Sequence, residues 1–258
     1  MLNKLKKIFY QLINITKNDE SYIKYQLSMF EKYNLDRQLG VEIFEKLKKQ
    51  NEFLNSNMNS EHQVIFSSIS SLRKDVKSIL EIGTYDAKNA FFLSKLFPNT
   101  KILTLDLPDQ NKKFKNTYGR EKNTNLNNFI KERDQLLQKC KNVYFKQLNS
   151  VNLLLENQKF DLIWIDGAHG YPFVTIDIIN AIRLCNDNGL IICDDVFKHK
   201  IKNPDEMYYS NASLETLEIL ADEKFLSFDL FLKRLEKRFN YYPQEQKFIA
   251  TINKLKNI

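Results

Sequence analysis

Three aspartates and one histidine lie directly after two apolar segments of the sequence. Asp166 and His169 follow FDLIWI, and Asp194 and Asp195 follow GLIIC, with Asp194 28 positions after Asp166. If the two segments are neighbouring strands, these carboxylates lie close together and repel one another. Such a group needs a compensating charge, which a divalent cation, a proton, or a paired lysine or histidine can supply.

The same residues indicate two kinds of chemistry. Aspartate oxygens are hard ligands that suit Mg²⁺ or Ca²⁺, and a bound cation lowers the pKa of a coordinated hydroxyl. We therefore predict Asp166, Asp194 and Asp195 as ligands of Mg²⁺ or another divalent cation. His169, with an unperturbed pKa of about 6.5, is the predicted general base. The alternatives are an ordinary strand-ending turn at Asp194-Asp195 and a structural hydrogen bond made by His169.

The elements that would position these residues alternate between strands and helices. Short apolar runs predict strands at SILEIG, KILTLDLP, NVYFKQLNS, FDLIWIDG and GLIICDDVF, with helical patterns between most of them. Two alternating tail segments, FLSFDLFLKRL and QKFIATINKL, predict an antiparallel pair. This order is typical of an α/β fold, here a Rossmann-like doubly wound sheet of seven strands that is mostly parallel with an antiparallel last strand.

Two further regions precede or interrupt the predicted domain. Residues 76–258 form the predicted sheet domain, and residues 1–75 form a helical extension before it. Residues 109–142 form a basic insert with a helix between the second and third strands. Within Met1–Ile15, apolar residues at helical spacing alternate with lysines, which indicates a helix packed on protein, or alternatively on a membrane surface. The N-terminal helices also make a homodimer a reasonable expectation.

Ligands of such sheets bind beyond the carboxyl ends of the strands. The first strand ends in EIGTYDA, in which Gly83 is the single glycine, and the loop contains neither GxGxxG nor the GKS or GKT of a phosphate loop. The loop therefore suits a nucleoside ligand that lacks a pyrophosphate. Asp106, at the end of the second strand, is placed to accept hydrogen bonds from a ribose diol, although a solvated turn residue before Pro108 would give the same pattern.

The strand-end motifs resemble those of one enzyme family. LEIGTYDA, LTLDLP, FDLIWIDGAHGYP and GLIICDDVF, within residues 78–197, resemble in order and spacing the class I S-adenosylmethionine-dependent methyltransferases. IDGAHGY followed by CDDV is similar to the branch of sugar and other small-molecule O-methyltransferases, some of which are metal dependent. The family's first loop is often ExGxGxG, and this chain departs from it at Tyr85 and Ala87.

The resemblance implies a cofactor, an activity and a set of site residues. It implies S-adenosylmethionine as cofactor and O-methylation of a small polyhydroxyl or sugar-type acceptor, assisted by the divalent cation. Asp106 would hold the ribose hydroxyls, Leu107 would flank the adenine, and Ser150 would lie near the adenine amino group. Asp166 would lie near the sulfonium and share the catalytic role with His169. The cofactor-binding residues implied are Glu81, Gly83, Thr84, Tyr85, Asp86, Asp106, Leu107, Ser150 and Asp166.

The predicted acceptor contacts come from two loops. Residues 110–122 hold five lysines and arginines against one acid, a net charge of +4. Tyr118 and Arg120 are predicted to contact the acceptor, for example a nucleotide-linked sugar, from a lid formed by this insert. A solvated loop in a lysine-rich protein is the alternative. His199, just after the aspartate pair, is predicted to reach the same acceptor.

Composition limits the remaining functions. The chain has 258 residues, a net charge of +7 and three cysteines without CxxC spacing, which argues against a disulfide scaffold or a zinc ribbon and favours the cytoplasm. No apolar run reaches the roughly 18 residues that a membrane span needs. No DNA partner is expected, because NPPY and DPPY motifs are absent. An RNA ribose 2′-O-methyltransferase and a catalytically inactive cofactor-binding or scaffold protein remain as alternatives.

Overall fold

A seven-stranded mixed sheet forms the centre of the protein. The structure, a computed structural model, describes residues 19–54, 60–117, 123–205, 207–240 and 242–255. The strands are β1 (Ser78–Ile82), β2 (Lys101–Asp106), β3 (Val143–Gln147), β4 (Phe160–Ile165), β5 (Cys185–Phe197), β6 (Leu226–Leu232) and β7 (Lys247–Lys254). Their order is β3-β2-β1-β4-β5-β7-β6, with β1 to β5 parallel and β7 antiparallel to both of its neighbours. The predicted Rossmann-like fold is confirmed.

Helices cover both faces of this sheet. They are α1 (Glu20–Lys32), α2 (Arg37–Gln50), α3 (Glu61–Leu72), α4 (Lys88–Leu96), α5 (Lys112–Asn116), α6 (Asn123–Leu137), α7 (Phe173–Leu184) and α8 (Ala212–Asp222). Alternate residues of β4 enter two separate apolar cores: Leu162 and Trp164 pack toward α3 and α4, and Ile163 and Ile165 pack toward α7. Because both faces are buried, the strand appears in the sequence as a continuous apolar run.

The N-terminal helices belong to the same packed body as the sheet. The side chain of Gln26, which is fully buried, donates to the Leu232 carbonyl and accepts from the Leu232 amide, so α1 satisfies backbone groups of the edge strand β6. Phe66 of α3 packs edge-to-face on Trp164, with ring centroids 5.2 Å apart. Met1–Ile15 lies outside the described residues, and dimerisation through the N-terminal helices stays a prediction.

The described residues of the insert between β2 and β3 form two helices, α5 and α6. Arg133 of α6 is 1% exposed and forms a two-pronged salt bridge with Asp109, which follows β2. This pairing ties the insert to the carboxyl end of β2, beside the predicted ligand site. Within the described ranges, no helix combines the length and the apolar character that crossing a bilayer requires.

Candidate functional site

A cavity of about 500 Å³ opens at the carboxyl ends of β1, β2 and β4. Its wall includes six of the nine predicted cofactor residues, namely Gly83, Tyr85, Asp106, Leu107, Ser150 and Asp166. Residues of the insert, among them Asn111 and Phe114, close the side next to β2. The parallel strands therefore bring together motifs that lie far apart in the sequence, as sheets of this type do at their ligand sites.

The loop after β1 has an unusual backbone that fits it closely against the tip of β4. Gly83 has a φ of +103°, and its amide donates to the Leu105 carbonyl at 2.9 Å. Tyr85 and Ala87 also have positive φ, 48° and 62°, although neither is glycine. Asp106 accepts a hydrogen bond from the Tyr85 amide at 2.8 Å and so holds this strained segment in place. The chain thus keeps a glycine-like conformation at the two positions where it departs from ExGxGxG.

Substitution of Gly83 by alanine is expected to damage this loop. An added Cβ would lie 2.1 Å from the Asp166 carbonyl oxygen, and alanine disfavours the positive φ. We expect a loss of about 2 kcal/mol in the free energy of unfolding, measured by denaturant titration. Gly167→Ala is the matched control, because its Cβ would lie 3.3 Å from a side-chain oxygen of Asp177. Equal losses for the two variants would contradict the prediction.

Three predicted cofactor residues, Glu81, Thr84 and Asp86, do not line the cavity and instead form contacts around the loop after β1. Glu81 is fully buried and accepts hydrogen bonds from Thr104 Oγ1 at 2.5 Å and Asn89 Nδ2 at 2.7 Å. Burial raises the pKa of Glu81 to about 7. Thr84 joins the same network through Thr104, and Asp86 pairs with the amide and the ammonium of Lys88.

The aspartate pair at the end of β5 is held by lysines. Lys233 Nζ lies 2.5 Å from Asp194 Oδ2 and 2.5 Å from Asp195 Oδ1, and Lys247 Nζ donates to Asp195 Oδ2. Within the described part of the chain, no three His, Cys, Asp or Glu residues are grouped to hold a metal ion. The predicted Mg²⁺ site on Asp166, Asp194 and Asp195 is therefore not supported, because lysine ammonium groups occupy three of the four carboxylate oxygens of Asp194 and Asp195.

His169 lies between the cavity and this cluster. It is 5% exposed, and its Nε2 is 3.6 Å from Asp166 Oδ1 and 3.9 Å from Asp195 Oδ2. Its Nδ1 is buried with no hydrogen-bond partner among the described residues. Burial lowers the pKa of His169, which favours the neutral imidazole near pH 7. Burial, reinforced by the negative charge of Asp194, raises the pKa of Asp166.

Comparison with known proteins agrees with this geometry. The profile of a family described as "Methyltransferase domain" matches residues 80–196. This match confirms the predicted resemblance to class I methyltransferases over these residues. No curated protein matches the sequence significantly.

Solved structures share the fold over most of the chain. A candidate O-methyltransferase from Klebsiella pneumoniae is 17% identical, with 95% of this chain and 94% of that chain covered and a TM-score of 0.51. A Podospora anserina methyltransferase bound to S-adenosylhomocysteine is 17% identical, with 93% and 98% covered and a TM-score of 0.51. A candidate caffeoyl-CoA O-methyltransferase from Staphylococcus aureus is 17% identical, with 91% and 100% covered and a TM-score of 0.51.

The cavity wall also contains a residue that the sequence analysis missed. Asp177 of α7 is 1% exposed and lines the cavity, and within the described structure its Oδ1 has no hydrogen-bond partner. Burial raises the pKa of Asp177 to about 7. The sequence did contain a signal for Asp177: it lies on the apolar face of a predicted helix, between Val174 and Ile178, where a carboxylate is unexpected.

The predicted acceptor residues are less clearly placed. His199 is exposed on the segment after β5 and does not line the cavity at the tips of β1, β2 and β4. Tyr118 and Arg120 lie outside the described residues. A second cavity, of about 310 Å³, is lined by Lys233, Arg234, Arg238, Phe239 and Lys247, among others. It adjoins the aspartate pair through the two lysines.

Proposed function

We propose that the protein is an O-methyltransferase that transfers the methyl group of S-adenosylmethionine to a hydroxyl of a small polyhydroxyl or sugar-type acceptor. The observation that carries the proposal is the position of His169. This buried and predominantly neutral base lies between Asp166, in the wall of the cofactor cavity, and Asp195, near the end of β5. The two similar structures described as candidate O-methyltransferases support oxygen as the acceptor atom.

The residues of the large cavity fit the cofactor. S-adenosylmethionine, when bound, supplies an electrophilic methyl carbon on a positively charged sulfur and becomes S-adenosylhomocysteine. Asp106 would accept hydrogen bonds from the ribose hydroxyls, and Leu107 and Ser150 would contact the adenine. Asp166 would lie on the sulfonium side, where a positive charge favours the ionised form of its carboxyl. Gly83 lets the loop pass close to the β4 tip and leaves the cavity open.

His169 would act on the acceptor. His169 Nε2 would take the proton of the acceptor hydroxyl, whose oxygen would receive the methyl group that S-adenosylmethionine supplies when bound, with S-adenosylhomocysteine as the leaving group. The imidazolium formed in this step lies 3.9 Å from the Asp195 carboxylate, which stabilises its positive charge. Proton removal by a positioned base typically contributes about 10²- to 10⁴-fold to the rate.

A labelling experiment tests the activity. Purified protein, methyl-labelled S-adenosylmethionine and fractionated sugars, nucleotide sugars and RNA are incubated with and without EDTA. We expect label in a sugar-type fraction, with transfer unchanged by EDTA, because lysines hold Asp194 and Asp195. Label in RNA ribose alone would favour the RNA enzyme. Cofactor binding by calorimetry without transfer to any fraction would favour an inactive binding protein.

A further inference from the structure

The charge at the end of β5 is balanced within the protein. Two carboxylates, Asp194 and Asp195, face two ammonium groups, Lys233 and Lys247. Lysine donors take both oxygens of Asp195 and one oxygen of Asp194. The remaining oxygen, Asp194 Oδ1, is buried and lacks a hydrogen-bond partner within the described residues. Within this pair, a divalent ion therefore meets no excess negative charge and only one available oxygen.

Lys233 is fixed in this position by the fold. Lys233 is 7% exposed and follows directly after the edge strand β6. Its amide donates to the Lys247 carbonyl at 3.0 Å, and its carbonyl accepts from the Glu61 amide at 2.9 Å. Hydrogen bonds from β7 and from the start of α3 thus hold the backbone of Lys233 on both sides. The ammonium group is therefore placed by the sheet and by the N-terminal helices together.

We propose that the ammonium group of Lys233, supported by Lys247, is the resident cation of the acceptor site and takes the position between the carboxylates that a divalent ion would occupy. This inference rests on the proposed function. An ammonium has three N–H donors, and Lys233 uses two of them on Asp194 and Asp195. Both lysines also line the cavity of about 310 Å³. An acceptor hydroxyl placed beside the Lys233 ammonium would meet a positive charge as it loses its proton.

The same arrangement explains how the site stays organised without a metal. The two lysines lower the pKa of Asp195 despite its burial, so its carboxylate remains ionised beside His169. Asp194 is held by the same ammonium. A purely structural ion pair would need neither a shared wall with a cavity nor a position next to the candidate base. Lys233 has both.

A gain of metal binding tests this role. Replacing both lysines, in K233M/K247M, frees three carboxylate oxygens, and we expect this variant to bind Mn²⁺ with a dissociation constant on the order of 10⁻⁴–10⁻³ M, measured by electron paramagnetic resonance. The matched control, K233M/K247M/D194N, should not bind. Wild type and K233R, which keep the cation, should show no Mn²⁺ binding that depends on Asp194. Mn²⁺ binding by wild type that D194N abolishes, or no binding by K233M/K247M, would overturn the proposal.

A kinetic comparison separates a catalytic cation from a structural one. K233M should lower kcat by about 10²-fold, as does the loss of a donor that stabilises developing oxyanion charge, while S-adenosylmethionine affinity is unchanged. K233R should recover part of kcat. An unchanged kcat in folded K233M would overturn the catalytic role. If the methionine variants do not fold, the Mn²⁺ titration of wild type against D194N still decides. The Mn²⁺ signal requires no turnover, so its outcome is independent of whether the proposed methyl transfer is found.

Discussion

His169→Ala is expected to lower kcat by about 10²- to 10³-fold with little change in the affinity for S-adenosylmethionine. The imidazole is 5% exposed and lies between the carboxylates of Asp166 and Asp195, and it does not line the large cavity. Its loss removes the proton acceptor and leaves the cofactor contacts in place. Steady-state kinetics with labelled cofactor and calorimetry on the same preparation measure the two quantities. A kcat within a factor of about three of wild type would contradict this assignment of the base.

The pH dependence gives an independent check on the same residue. A general base must be neutral to act, and burial lowers the pKa of His169 below its usual value of 6.5. Activity should therefore persist as pH falls through 6.5 and decline only at lower pH, where the imidazole becomes protonated. This acid limb should be absent from the residual activity of His169→Ala. His199→Ala removes an exposed imidazole. It should change no more than the KM for the acceptor, and its pH profile should keep the acid limb of the wild type.

The sequence was sufficient to predict the sheet and the cofactor side of the site. Strands buried on both faces leave continuous apolar runs, and β4, with five of its six residues buried, is the clearest. Parallel strands present their carboxyl ends together, so Gly83, Asp106 and Asp166 had to meet once the strand order was known. Tyr85 and Ala87, the two departures from glycine, both keep positive φ values, and Asp106 supports the first of them through the Tyr85 amide.

The charge partner of the aspartates could not be predicted. The requirement for compensation was visible in the sequence, but Lys233 is one of 39 lysines and arginines and lies 39 positions after Asp194. Only the antiparallel pairing of β6 with β7, and of β7 with β5, returns Lys233 and Lys247 to the tip of β5. Such a contact depends on the register of two strand pairs, which local patterns do not fix.

Asp106→Ala is expected to weaken the binding of S-adenosylmethionine by about 10- to 100-fold. Hydrogen bonds to a charged group contribute about 1.5–3 kcal/mol, and 1.4 kcal/mol corresponds to tenfold in affinity. Asp106 lines the cavity and also accepts from the amides of Tyr85 at 2.8 Å and Leu107 at 2.7 Å. Asp86→Ala is the matched control, since Asp86 belongs to the same loop and pairs with Lys88 outside the cavity wall. Calorimetry on both variants measures the difference, and equal affinities for wild type and Asp106→Ala would contradict the ribose assignment.

Loss of affinity in Asp106→Ala has two sources, the ribose contact and the loop that Asp106 holds. A cofactor product analogue without the ribose 2′ and 3′ hydroxyls separates them. In wild type, this analogue should bind more weakly than S-adenosylhomocysteine, because it gives Asp106 no donors. In Asp106→Ala, the two ligands should bind with similar affinity, since the contact that distinguishes them is gone. If the variant still prefers the intact ribose by the wild-type factor, Asp106 acts only on the Tyr85 loop, and another group must recognise the diol.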